Sequence, residues 1–122
     1  LMEPTERQLR LQYVLKNAKN DKPDTVMERL IDTIGRGQGI IIPEVDKYYV
    51  FVYQAKTKRI RYDSNPFVLC TGIYKWGFQG YNFHWEAYRQ YSWNEVVTNL
   101  YEVRENELNI VEKLPIANLK ST

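Results

Sequence analysis

The sequence predicts an α+β domain: a small antiparallel barrel-like β-sheet flanked by N-terminal and C-terminal helices. Apolar residues recur at helical spacing before residue 35 and again after residue 92, while the stretch between them is β-branched and aromatic. Fifteen of the seventeen aromatic residues lie between Tyr48 and Trp93, which marks that stretch as the body of the fold. The 122 residues are 43% hydrophobic and 26% charged, the balance of one globular domain able to bury a core without disulfide or metal staples. We divide the single domain, 1–122, into an N-terminal helical segment (1–37), a sheet core (38–85), C-terminal helices (86–116) and a loose tail (117–122).

The first helix begins near Thr5, where Thr5 and Gln8 fit a capping box behind Pro4. Leu11, Val14, Leu15 and Ala18 then form one apolar stripe. The polar run Asn17 to Pro23 ends it. A second helix spans about Asp24 to Ile34, with Thr25 and Glu28 as a second capping box and Met27, Leu30, Ile31 and Ile34 as its stripe. Gly35 and Gly37 stop it. Gly35-Arg36-Gly37-Gln38-Gly39 reads as a helix-to-strand linker, since a phosphate-binding loop runs from strand to helix instead. It leads into the short apolar run Ile40-Ile41-Ile42, closed by Pro43.

Tyr48 to Tyr53 is apolar on both alternating faces, so this strand is buried on both or belongs to a small closed barrel. Gln54 to Arg59 is a polar connection and Ile60 to Tyr62 a short return strand. Asp63-Ser64-Asn65-Pro66 is a turn. Phe67 to Ile73 is the next strand, Trp76-Gly77 a hairpin tip, and Phe78 to Trp85 the returning strand. Gly77 and Gly80 suggest close backbone approach. The returning strand's alternation assigns Tyr81, Phe83 and Trp85 to the core face and Gly80, Asn82 and His84 to the other. From Glu86 the pattern turns helical: Glu86 to Tyr91 gives one or two turns. Ser92 and Glu95 cap a further helix carrying Trp93, Val96, Val97 and Leu100, and Leu108 and Val111 mark a last one ended by Leu114-Pro115.

A net charge of +2 does not by itself indicate a nucleic-acid partner. The single cysteine cannot form an internal disulfide, and Cys70, in the run Phe67-Val68-Leu69-Cys70, reads as a small buried hydrophobe. No stretch is long and apolar enough to span a membrane, and no secretory signal pattern opens the chain. With one His and one Cys, a nitrogen–sulfur zinc site is not expected, nor is a cofactor. A Cys70–His84 dyad lacks the flanks of known nucleophile motifs. Asp46 with Gln54-Ala55-Lys56 has the flavour of a metal-dependent nuclease, but Asp46 precedes the strand and Lys56 lies past its end. No catalytic residues are assigned.

Two surfaces stand out. Lys56, Lys58, Arg59 and Arg61, beside Tyr53 and Tyr62, combine bases and aromatics in the manner of single-strand nucleic-acid platforms; the plainer reading is a solvated hairpin loop. Tyr81, His84, Trp85, Arg89, Tyr91 and Trp93 include the residue types enriched at protein interfaces, and so many aromatics exceed what one core hides.

Three stretches also carry a resemblance: Tyr49-Val50-Phe51-Val52-Tyr53-Gln54-Ala55-Lys56-Thr57-Lys58, Tyr62-Asp63-Ser64-Asn65-Pro66-Phe67-Val68, and Gly77-Phe78-Gln79-Gly80-Tyr81-Asn82-Phe83-His84-Trp85. Over roughly residues 40 to 100 the chain resembles a family of small structural proteins of large contractile-tailed bacteriophages. The resemblance implies a virion component of tail, baseplate or neck, present in the host cytoplasm during assembly, with other virion proteins as partners and an oligomer or larger complex as its setting. It assigns no role to single residues. The leading expectation is therefore a non-enzymatic structural or assembly protein acting through protein–protein contacts. A nucleic-acid-binding module using residues 56–61 is the alternative, and a metal-dependent nuclease the third reading.

Overall fold

The structure, a computed structural model, describes residues 3–35 and 39–121. Helix α1 (Glu6–Asn17) starts where the sequence places it: the Thr5 hydroxyl accepts from the Gln8 amide, and the Gln8 side chain accepts from the Thr5 amide. Helix α2 (Pro23–Gly35) starts earlier than Thr25, so the second capping box does not form. Pro23 occupies the first turn, where its fixed φ suits a helix and its missing N–H costs nothing. The expected stripes are buried: Leu11, Val14 and Ala18 from the first, Met27, Leu30 and Ile34 from the second. Gly37 lies outside the described residues.

The strands are β1 (Tyr48–Val50), β2 (Arg61–Asp63), β3 (Phe67–Ile73), β4 (Gly77–Asn82), β5 (Ala87–Ser92), β6 (Tyr101–Val103) and β7 (Leu119–Ser121); helix α3 (Leu108–Lys113) lies between the last two. Five form an antiparallel sheet in the order β5-β4-β3-β1-β6, while β2 and β7 form a separate ribbon. The sheet is open rather than barrel-like. Closure would require its two edge strands to meet, and β2, the remaining strand of the aromatic block, pairs with the chain's end instead of bridging the gap. Residues 117–121 of the expected loose tail are correspondingly tied down, because Leu119 to Ser121 pair with Asp63 to Arg61; Thr122 lies outside the described residues.

Each face of the sheet carries its own core. On one, α1, α2 and α3 pack with Val50, Phe67 and Val103. On the other, Tyr49, Phe51, Tyr53, Tyr62, Phe78 and Tyr91 pack together with Val68, Cys70 and Leu100. The strand at residues 48–53 is thus buried on both faces, as its composition predicts, although only Tyr48–Val50 is laddered. Edge-to-face contacts dominate the second core: Phe51 meets Phe78 at 5.5 Å and Tyr91 at 5.1 Å between ring centroids.

Further readings of the sequence are corrected. Glu86 to Tyr91 is not helical: Ala87 to Ser92 pair residue by residue with Asn82 to Gly77. The register admits no side chain at Gly77, where a Cβ would lie 1.9 Å from the Tyr91 carbonyl oxygen. After Ser92 only one 3-10 turn forms, and Val96 bridges to Tyr53. The returning strand ends at Asn82, with a turn over residues 83–86. Its buried face is Phe78, Gly80 and Asn82 rather than the Tyr81 face, because the aromatic core lies on that side. Finally, only Ile40 of the isoleucine run pairs, with Leu100; Ile41 and Ile42 are exposed.

Candidate interaction surfaces

The resemblance motifs converge on a buried polar clasp. The Asp63 carboxylate meets His84 Nδ1 through Oδ2, and its Oδ1 accepts from the Asn65 and Asn118 amides, both at 3.0 Å. Asn82 Oδ1 accepts from the amides of His84 (2.8 Å) and Trp85 (3.0 Å), and its Nδ2 donates to the Tyr91 hydroxyl at 3.0 Å. From α2, Asp24 accepts from the side chains of Asn118 (2.7 Å) and Asn65 (3.3 Å). Burial alone would raise the Asp63 carboxyl; the bonds from His84, Asn118 and Asn65 outweigh it and hold the group below the ordinary carboxylate range. The clasp fastens the β2–β7 ribbon and the β4–β5 turn to the sheet.

His84 and Cys70 do not form a dyad: His84 Nδ1 is engaged by Asp63, its buried Nε2 has no hydrogen-bond partner, and Cys70 sits on β3 opposite Gly80, where burial pushes its thiol up. Asp46 occupies a turn with φ of 70°, its amide donating to the Cys70 carbonyl, and the Lys56 amide donates to Glu95. Among the described residues no group of three or more His, Cys, Asp or Glu side chains is placed to hold a metal ion.

The basic turn is half surface and half core. Lys56, Lys58, Arg59 and Arg61 are exposed. Tyr53 and Tyr62 are buried and packed edge to face at 6.0 Å, and the Tyr53 hydroxyl donates to Glu95 Oε1 at 3.1 Å. Burial, reinforced by Glu95, pushes the Tyr53 phenol up. Neither ring offers a face on which a base could stack.

The interface candidates also separate. Tyr91 belongs to the second core. His84 is taken up by the clasp. Tyr81 is half-buried between Phe83 and Tyr88, each 5.3 Å from it. Trp93 lies along Phe78 and donates to the carbonyls of Tyr74 (3.2 Å) and Lys75 (3.0 Å). Trp85 and Arg89 join Arg61, a residue from the other candidate set. The two guanidinium carbons lie 5.0 Å (Arg89) and 5.7 Å (Arg61) from the Trp85 ring, and Arg89 donates to the Arg61 carbonyl at 3.0 Å. Beside this stack runs a groove of about 540 Å³, lined by Arg61, Arg89, Tyr88, Trp76, Gln90 and Glu95 among others.

The most apolar surface escaped the sequence reading. At the end of the sheet, Ile41, Ile42, Ile73, Tyr74, Trp93 and Val97 contribute to a groove of about 770 Å³ whose lining contains no charged residue. Ile41 is 79% exposed, Ile42 62% and Val97 59%. Trp76 extends the patch, stacked on Tyr74 at 5.1 Å. The available signal was three isoleucines in a row without alternation, enclosed by Gly39 and Pro43, a pattern that no half-buried strand needs.

Fold and surfaces together define a class: an α+β domain with an open antiparallel sheet, helices over one face and an aromatic core under loops on the other. No family model matches this chain, and comparison with the curated proteins and with the solved structures finds no match.

Proposed function

We propose that this chain is a non-enzymatic structural and assembly protein that acts through protein–protein contacts, as a component of a bacteriophage tail, baseplate or neck. The apolar groove carries the reading. A contiguous uncharged patch with three isoleucines, two valines, two tyrosines and a tryptophan is costly to leave in water, and a neighbouring protein's apolar segment is the occupant that covers it. The phage setting comes from the resemblance over residues 40 to 100. Asp63, Asn82 and His84 of that pattern sit in the clasp, a structural use in keeping with a structural family.

Much of the aromatic excess is consumed inside the molecule, so contact falls to the residues at the sheet's end and edge. Mass spectrometry of purified particles from the virus encoding the chain tests the reading. Stoichiometric recovery with the particle is expected. Absence from particles, together with a monodisperse monomer in solution, overturns it.

A further inference from the structure

We propose that the free edge of β5 docks an extended, acidic segment of a partner protein, which joins the sheet as an additional strand. The two edges of the sheet are finished differently. At β6, Ile40 and Leu100 exchange both backbone hydrogen bonds (2.9 and 2.7 Å), and Arg7 donates to the Glu102 carbonyl at 2.7 Å. At β5 no strand pairs with the outer side among the described residues. It is twice as long as β6, six residues against three. Its sequence, Ala87-Tyr88-Arg89-Gln90-Tyr91-Ser92, has no proline, no lysine and an unbroken register with β4, and its one charged side chain, Arg89, is folded onto Trp85. Unpaired N–H and C=O groups on such an edge are a template for a polypeptide backbone.

Charge selects the partner. Arg89 lies at the middle of the strand and Arg61 beside it, both held on Trp85, and the exposed Lys56, Lys58 and Arg59 stand on the turn that walls the groove. The acid lining the groove, Glu95, is already engaged by the Lys56 amide at 2.5 Å, the Tyr53 hydroxyl at 3.1 Å and the Ser92 hydroxyl. An incoming carboxylate opposite Arg89 gains a cross-strand ion pair, whereas a second copy paired about Arg89 would set two guanidinium groups against each other. A nucleic-acid strand uses none of the edge's amides and finds Tyr53 and Tyr62 buried. The inference shares with the assembly reading only the premise of a protein partner, and it concerns a different surface.

The test uses the full chain in solution, labelled for amide NMR. The probes are a short peptide alternating threonine and valine with one central glutamate, the same peptide with lysine in its place, and oligothymidylate. The glutamate peptide is expected to shift and protect β5 amides, binding about tenfold more tightly than the lysine peptide. Arg89→Glu is expected to invert that preference while the amides of the helices keep their positions. No shift with either peptide, equal binding of both, stronger binding of oligothymidylate at β5, or β5 amides already protected in a dimer of the chain would each overturn the proposal. None of these results depends on a particle, so failure here and failure of the assembly reading are separable.

Discussion

On its helical side the sheet is closed by interactions that reach far along the chain. Arg7 of α1 pairs with Glu107, which is fully buried, through Nε at 2.6 Å and Nη2 at 2.9 Å, and Glu107 also accepts from the Arg104 amide at 2.8 Å. The same arginine covers the β6 edge. On the opposite side no α-helix among the described residues covers the sheet. Rings pack against rings, the 3-10 turn and the β2–β7 ribbon cover them, and the apolar groove and the β5 edge remain open. The two sides are thus finished by different means, helices and an ion pair on one and ring packing on the other, and the exposed apolar residues gather at the margin of the ring-packed side.

Four substitutions probe the two sides separately. The largest effect is expected from Phe51→Ala, which removes a fully buried ring from the loop-covered core and should cost about 4 kcal/mol in urea unfolding. A loss near that of an exposed residue would show that the loop-covered side is no true core. Arg7→Ala on the helical side leaves Glu107 buried without its ion partner and should cost about 3 kcal/mol. If unfolding is unchanged, the closure of that flank rests on apolar packing alone.

Asp63→Asn addresses the clasp between the two sides and should cost about 2 kcal/mol at neutral pH. Its pH dependence has a definite sign. Asp63 is held below the ordinary carboxylate value, so its stabilisation is complete above pH about 4 and is lost as pH falls through its lower folded value. Stability measured along a pH series should therefore fall less steeply in the variant on acidification; parallel curves would remove the clasp from the account. The smallest effect on stability is expected from Val97→Asp, within about 0.5 kcal/mol, since the side chain is exposed. This variant should instead become less prone to associate, as read by light scattering.

The sequence made the helical side legible because helical periodicity is local. The stripes of α1 and α2, the Thr5 capping box and the short helix at Leu108 were all readable from spacing. β3 was legible too, bounded by Pro66 and ending before the Trp76-Gly77 tip. The loop-covered side was not, because its structure is decided by pairing. Ala87-Tyr88-Arg89-Gln90 has no strand alternation and includes good helix formers, yet its ladder with β4 overrides that preference. Ser92 and Glu95 have capping-box spacing, but the Tyr53–Val96 bridge stops the helix after one turn. Leu119 to Ser121 carries no strand signal apart from its partner β2. The candidate site was divided for the same reason. Arg61 and Arg89 lie 28 residues apart in sequence, and only the fold places both on Trp85.

Use of the open margin of the sheet in assembly is tested by measuring incorporation into particles of two variants: Val97→Asp in the apolar groove, and Tyr13→Asp on α1, whose side chain is likewise exposed. Val97→Asp is expected to be lost from particles while Tyr13→Asp is retained at the level of the unmodified chain. Retention of Val97→Asp at that level would contradict it.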